Sequence, residues 1–145
     1  MDAYTPRPKE TTVQILPIAP TVKNPSEWFT GDVWLDPVLS PQDEGQNATA
    51  GLVRFAPGAR TAWHAHPGGQ TLRVIEGRAL VQARGGEVVE LHAGQTVYSP
   101  PGEEHWHGAA PDSFMTHLAL WETPEGEPSA HWGEHVTDAE YSARG

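Results

Sequence analysis

The sequence predicts an all-β, single-domain protein: a barrel or sandwich of short strands that ends in a short helix. Three observations carry this. Fourteen prolines and fifteen glycines are spread along the 145 residues rather than gathered in one linker, which breaks long helices and marks frequent turns. Between those turns lie apolar stretches of strand length, several of them alternating with period 2. No helical period of useful length appears before residue 137. The length suits one domain that buries a core without staples. We divide it into an extended N-terminal arm, 1–25, and a barrel, 26–145.

In chain order, residues 1–12 are polar, carry Pro6 and Pro8, and read as loose. Val13 to Ile18 is apolar but interrupted by Pro17, which suits an edge strand packed on a neighbouring subunit. Residues 26–31 read as a turn into a strand over 32–36, and 40–47 as a polar loop. Residues 50–56 form a strand with Gly51, Val53 and Phe55 on one face. Pro57-Gly58 turns the chain toward Thr61–His66, and Pro67-Gly68-Gly69 turns it again. A strand over 71–76 ends at Gly77. Residues 78–84 then pair with 87–91 across Gly85-Gly86, a two-residue hairpin signal. Short strands follow at 96–98 and 105–108. The last clear strand is 114–122, with Met115, His117, Ala119 and Trp121 on one face. Thr137-Asp-Ala-Glu140 is a capping-box pattern, so a helix is expected near 137–143.

Composition excludes several functions. There are no cysteines, so a metal must be held by nitrogen or oxygen. Nine Lys and Arg stand against nineteen Asp and Glu, a formal charge of −10, which repels phosphate backbones and argues against nucleic-acid binding. No apolar run is long enough to span a membrane. The start of the chain lacks an apolar signal-peptide core, so a cytoplasmic protein is expected.

Two stretches carry chemistry. Gly58–Gly77 contains His64, His66 and Gln70; Gly94–His107 contains His105 and His107. On a strand, residues i and i+2 face the same side, so His64 with His66, and His105 with His107, can each point inward. Imidazole nitrogens bind a divalent ion at ~2.1 Å. His107, and His117 on the inward face of the last strand, are candidate bases, because a neutral imidazole near a cation titrates low. His92 reads as a solvated turn residue, and His131 and His135 as tail packing. Arg60, Arg73 and Arg78 are candidates for interface or anion contacts, or for a solvated strand face.

The spacing resembles the cupin family. One of its motifs runs glycine, five residues, His-x-His, three or four residues, glutamate, six residues, glycine; Gly58, His64, His66, Gln70 and Gly77 match it, with glutamine in place of glutamate. The other runs glycine, five residues, Pro-x-Gly, two residues, His, three residues, asparagine; Gly94, Pro100, Gly102 and His105 match it, with Ala109 at the asparagine position. The resemblance implies a jelly-roll barrel (a double-stranded β-helix) and a metal set of His64, His66, Gln70 and His105. The segments PGARTAWHAHPGGQTL, EEHWHGAAP, MTHLAL and EHVTDAEY are more closely similar to small bacterial manganese-dependent hydroxynitrile lyases of cupin fold, in which a glutamine replaces the motif glutamate. That likeness implies Mn2+ (or Fe2+, Zn2+ or Ni2+) and a substrate pocket of Gly51, Val53, His107, His117 and Trp121. Phe55 and Met115 join the pocket by sharing the inward faces of their strands. The family position matching Trp121 can hold a smaller polar residue, so Trp121 narrows or re-lines the pocket.

Gln70 has physical content. Three neutral imidazoles and an amide leave the full +2 charge on a divalent ion, which strengthens it as a Lewis acid and resists oxidation. The expected function is therefore a metal-dependent lyase of small cyanohydrins with His107 or His117 as general base. The alternatives are an iron-dependent cupin dioxygenase and a non-catalytic small-molecule-binding cupin, a group that includes relatives labelled carboxymuconolactone-decarboxylase-like. The expected partner is a small-molecule substrate, and a homodimer or homotetramer is expected from the apolar arm.

Overall fold

The computed structural model describes residues 13–144, so the polar stretch 1–12 lies outside the described residues. The chain is nearly all β, as the turn spacing predicts. Its strands are β1 (Val22–Lys23), β2 (Phe29–Thr30), β3 (Val33–Leu39), β4 (Ala48–Phe55), β5 (Arg60–Thr61), β6 (His64–Ala65), β7 (Gln70–Ala83), β8 (Val89–His92), β9 (Thr96–Ser99), β10 (His105–Ala109), β11 (Met115–Glu122) and β12 (His131–Trp132), followed by α1 (Asp138–Ser142). Hydrogen-bonded neighbours run β1-β3-β4-β11-β7-β10-β5-β2, with β8 and β9 also on β7, and β6 between β10 and β12. Every pairing is antiparallel. No helix among the described residues is long and apolar enough to cross a membrane.

β7 is the hinge of this architecture. Its first half pairs with β11 and β9, and its second half with β10 and β8. The sequence predicts a chain reversal at Gly77; instead the strand runs through it for 14 residues. Gly77 has φ +79°, and the register with β11 slips beside it, between Thr116 and His117. A glycine here bends the strand from one sheet into the other instead of ending it. A Cβ at Gly77 would lie 1.8 Å from the Phe114 carbonyl oxygen.

Other expectations need correction. Val13 to Ile18 forms no strand, and Val13, Ile15 and Ile18 are 96–99% exposed. Pro17 and Pro20 remove ladder donors there, and pairing begins only where Val22–Lys23 meets Trp34–Leu35 on β3. Residues 22–23 of the stretch read as an arm therefore belong to the sheet. The Gly85-Gly86 hairpin is wider than two residues, because β8 starts at Val89. Arg60 is not solvated: it is 5% exposed, and its Nη2 donates to the Val136 carbonyl at 3.0 Å and meets Asp138 at 2.7 Å. Arg73 is exposed, and Arg78 bridges Glu90 and Asp112. The tail packing expected at His131 takes the form of a short strand, His131–Trp132, paired with β6.

Alternation along the strands divides the apolar side chains. Val33, Val53, Phe55, Leu72, Val74, Val81, Met115 and Ala119 fill the space between the sheets. Leu80 and Trp106, whose neighbours Val81 and His107 face inward, pack on the outer side against Trp63, Val136 and Tyr141. The C-terminal segment exists to cover them. Its helix forms as the capping box predicts: Glu140 N donates to Thr137 Oγ1 and Thr137 N to Glu140 Oε1. The Tyr141 hydroxyl donates to the Ala109 carbonyl at 2.6 Å, and the Arg60 guanidinium lies 4.5 Å over the Tyr141 ring. Each of these large side chains contributes about 1.5–3 kcal/mol through burial.

We predict that Gly77→Ala destabilises the fold by about 3 kcal/mol or more, since it combines a positive φ with a backbone clash. Urea unfolding of the purified variant checks this; an unchanged midpoint would contradict the account of β7.

Candidate metal centre and cavity

The two histidine stretches meet because β10 pairs with β6 in a register that sets His105 opposite His64. One ring nitrogen from each of His64, His66 and His105 lies within 4.8 Å of the other two. Gln70, the first residue of β7, brings Oε1 to 3.1 Å from His105 Nε2. All four side chains are buried, at 1–6% exposure. The i, i+2 argument places His64 and His66 correctly, although β6 itself is only two residues long.

The hydrogen bonds determine what these rings can do. His64 Nδ1 lies 2.9 Å from the Ala62 carbonyl, His66 Nδ1 2.8 Å from that of Ser129, and His105 Nδ1 3.0 Å from that of Glu103. A carbonyl only accepts, so each Nδ1 carries the proton and donates it. In the neutral ring Nε2 is then a bare lone pair. His66 Nε2 has no partner at all, and a buried polar atom without one is costly. A divalent cation fits this cluster: it would satisfy the orphaned nitrogen and take the lone pairs that imidazole and amide oxygen offer. Because Gln70 is neutral, nothing in the donor set cancels the ion's charge.

Burial also holds the rings neutral. It lowers His64 well below the ordinary histidine value, with His105 and His66 adding to the effect. It lowers His66 to about 4 and pushes His105 down as well.

Beside the cluster stands a second pair. His117 Nε2 and His107 Nδ1 are 3.0 Å apart, and Phe55 packs against both rings. His107 Nε2 and His117 Nδ1 have no partner. Burial drives both rings neutral: His107 well below the usual range, helped by His117 and the nearby cluster, and His117 to about 4. In a neutral pair one proton occupies the shared bond. If His107 donates, its Nε2 is a lone pair and His117 Nδ1 carries hydrogen. If His117 donates, the roles exchange. The pair therefore always offers one base and one acid at its two free ends.

His64, His66 and Gln70 of the cluster and both histidines of the pair line one cavity of about 240 Å³, small beside drug-sized sites. Val53 and Trp121 line it as the sequence suggests. Gly51, Phe55 and Met115 do not. Phe55 and Met115 are core residues, and Leu35 Cδ1 lies 2.5 Å from where a Gly51 Cβ would stand, so Leu35 forms the wall there. The Trp121 ring leans against His66 at 5.8 Å. Sequence reasoning missed the opposite wall, made of Trp28, Phe29, Ser129 and Trp132. Trp132 stacks on His64 at 4.6 Å and on Trp28 at 5.1 Å. Two of the six tryptophans of the chain stand in this wall, and their number is the one sequence feature that points to it. His92, His131 and His135 stay outside the cavity and exposed.

Residues 51–122 match the cupin domain family Cupin_2. An (R)-mandelonitrile lyase from Granulicella tundricola is 52% identical over 119 residues, covering 82% of this chain and 89% of the relative. A cupin-like protein from Thermotoga maritima, known as a crystal structure, is 39% identical with a TM-score of 0.78, covering 89% of this chain and 95% of that one. A predicted oxalate decarboxylase from Thermotoga maritima, 19% identical with a TM-score of 0.64 over 72% of this chain and 92% of its own, shares the fold alone.

The low-titrating histidines set a pH dependence for the metal-free protein. Their folded values lie below the unfolded value near 6.5, so between about 6.5 and 4 the unfolded chain takes up protons that the folded chain refuses. Stability is full above pH 6.5 and falls as the pH drops toward 4, by roughly 3 kcal/mol for each of His66 and His117. Urea titrations of chelator-treated protein at pH 7.5, 6, 5 and 4 test this; a flat profile would contradict it.

Proposed function

The chain belongs to the cupin superfamily, and on that premise we propose that it is a metal-dependent hydroxynitrile lyase acting on small aromatic cyanohydrins. One observation carries the reading: the neutral His107–His117 pair, with a base at one end and an acid at the other, lines the same small cavity as His64 and His66 of the three-histidine cluster. The likeness to an (R)-mandelonitrile lyase supports the substrate class and the handedness.

His64, His66, His105 and Gln70 would hold the ion, for which Mn2+ is our first expectation. When bound, it supplies Lewis acidity undiminished by any carboxylate donor. The remaining work belongs to the chain. Cleavage of R–CH(OH)–CN transfers the hydroxyl proton to a base. The C=O bond forms, and the C–CN bond breaks with its electron pair on cyanide. The free lone pair of the histidine dyad takes the hydroxyl proton. Its free N–H, at the other end, returns a proton to cyanide, so aldehyde and HCN leave. The proton in the shared hydrogen bond shifts between the rings, and the dyad finishes in its opposite tautomer with no net charge gained. Val53, Leu35, Ala119 and the tryptophans exclude water and hold the aryl group. The same path run backwards adds cyanide to an aldehyde. A homodimer or homotetramer belongs to the same proposal, supported by the exposed apolar side chains of Val13, Ile15 and Ile18.

Metal-loaded protein is expected to release cyanide from (R)-mandelonitrile. His107→Ala and His117→Ala should each lower kcat/KM about 100-fold or more. Absence of cyanide release, or full activity in both variants, would sink the proposal. Gln70→Glu should slow the lyase by reducing the charge on the ion, and oxygen uptake dependent on ferrous iron in the unmodified chain would favour the dioxygenase reading instead.

A further inference from the structure

The segment Ser129–Gly133 lies outside the stretch that matches the family model, yet it touches two of the three histidines of the cluster. The Ser129 carbonyl takes the Nδ1 proton of His66 at 2.8 Å. Two residues on, β12 pairs with β6, His131 opposite Ala65 and Trp132 opposite His64. The Trp132 ring lies against the His64 imidazole with centroids 4.6 Å apart and planes 28° from parallel. On the cavity wall the same indole stacks with Trp28, 5.1 Å away and 4° from parallel. The segment is clipped in place by backbone bonds: Gly133 N donates to the Trp63 carbonyl at 2.7 Å, and Trp63 N to the Glu134 carbonyl at 2.9 Å.

β6 is too short to hold its own histidines rigidly. It has two residues, and beyond Ala65 the chain turns at once through Pro67-Gly68-Gly69. The His64 ring is held through Nδ1 by the Ala62 carbonyl, with the Gln70 side chain as a further polar neighbour. The carbonyl bond selects the tautomer but leaves the ring able to swing about it. A flat surface stacked on the imidazole removes the swing, and the Trp28–Trp132 stack fixes the flat surface.

We propose that Trp132 is a positioning residue of the metal centre: by stacking on His64, while Ser129 orients His66 from the same segment, it holds two ligand nitrogens in register for one divalent ion. The tail segment after β11 is thus a structural part of the site rather than a cover for it. Outer partners of metal-bound histidines typically set 10- to 100-fold in affinity, and an aromatic contact of this kind falls at the low end of that range. Trp132→Ala should therefore weaken metal binding about tenfold. Trp132→Phe should recover most of the loss, because phenylalanine retains a flat face against the imidazole. Trp28→Ala should have a smaller effect, since it removes support from Trp132 and not from His64.

This inference rests on the reading that His64, His66, His105 and Gln70 hold a divalent ion. The test is direct titration of full-length, chelator-stripped protein with Mn2+ alone, with the Mn2+ electron paramagnetic resonance spectrum recorded for each variant. The expected result is tight binding in the unmodified chain, about tenfold weaker binding in Trp132→Ala with a broadened spectrum, and near-normal behaviour in Trp132→Phe. Equal affinity in the unmodified chain and Trp132→Ala would overturn the role of Trp132 while leaving the metal centre intact. The same holds if Trp132→Phe binds as weakly as Trp132→Ala. If the unmodified chain binds neither Mn2+ nor Fe2+, Zn2+ or Ni2+, the metal reading and this inference fall together. Should Trp132→Ala not fold, the comparison of Trp132→Phe and Trp28→Ala decides: near-normal binding in the first with weakened binding in the second supports the stack, and any other pattern overturns it.

Discussion

Each histidine of the cluster gives its Nδ1 proton to a backbone carbonyl, and those three carbonyls, of Ala62, Ser129 and Glu103, commit the barrel to its chemistry. A carbonyl cannot donate, so Nε2 of each neutral ring is left as a lone pair. Three such lone pairs beside an amide oxygen, on buried side chains, form an arrangement that a cation relieves. The rest of the structure serves this condition. β10 must pair with β6 to bring His105 opposite His64. β7 must cross from one sheet to the other so that Gln70 reaches His105 while Val81 faces the core behind His107.

The site is expensive to build. Five histidines are buried here, each with its proton affinity lowered by loss of water. Hydrogen bonds account for only part of their polar atoms. His66 Nε2, His107 Nε2 and His117 Nδ1 stay unpaired, and native proteins seldom leave such atoms idle. The costs are offset elsewhere, in the apolar layer between the sheets and in the outer layer of Leu80, Trp106, Val136 and Tyr141. The C-terminal helix secures that outer layer. It is tied down by Arg60, a residue that reads in the sequence as solvated and is in fact buried under the tail.

Much of this was legible in the residue order. His64, His66 and His105 sit at family spacing, and period-2 alternation places His117 beside Met115 on the buried face. Thr137 and Glu140 announce the helix, because a capping box depends on side chains only three residues apart. What failed was non-local. Gly77 read as a turn, because a positive-φ glycine marks a bend but cannot say whether the strand continues beyond it. Gly51 read as a pocket residue, although Leu35 from the neighbouring strand takes its space. Phe55 and Met115 share inward faces with true cavity residues, yet they sit deeper, and alternation gives side but not depth. β1 and β12 are two residues each, too short to leave a periodic signal.

By itself, then, the sequence determined the class of the fold, the identity of the candidate ligands and the uncompensated charge that Gln70 leaves, because these depend on residue type and on spacing along one strand. Tertiary structure decided which atoms of those residues are free. The partner of His66 Nδ1 is a carbonyl sixty-three residues away, the His107–His117 pair forms between separate strands, and Trp132 reaches His64 only because a two-residue strand closes on the edge of β6. Hydrogen-bond roles and ring stacking arise from contacts across the sheet, and nothing local in the chain encodes them.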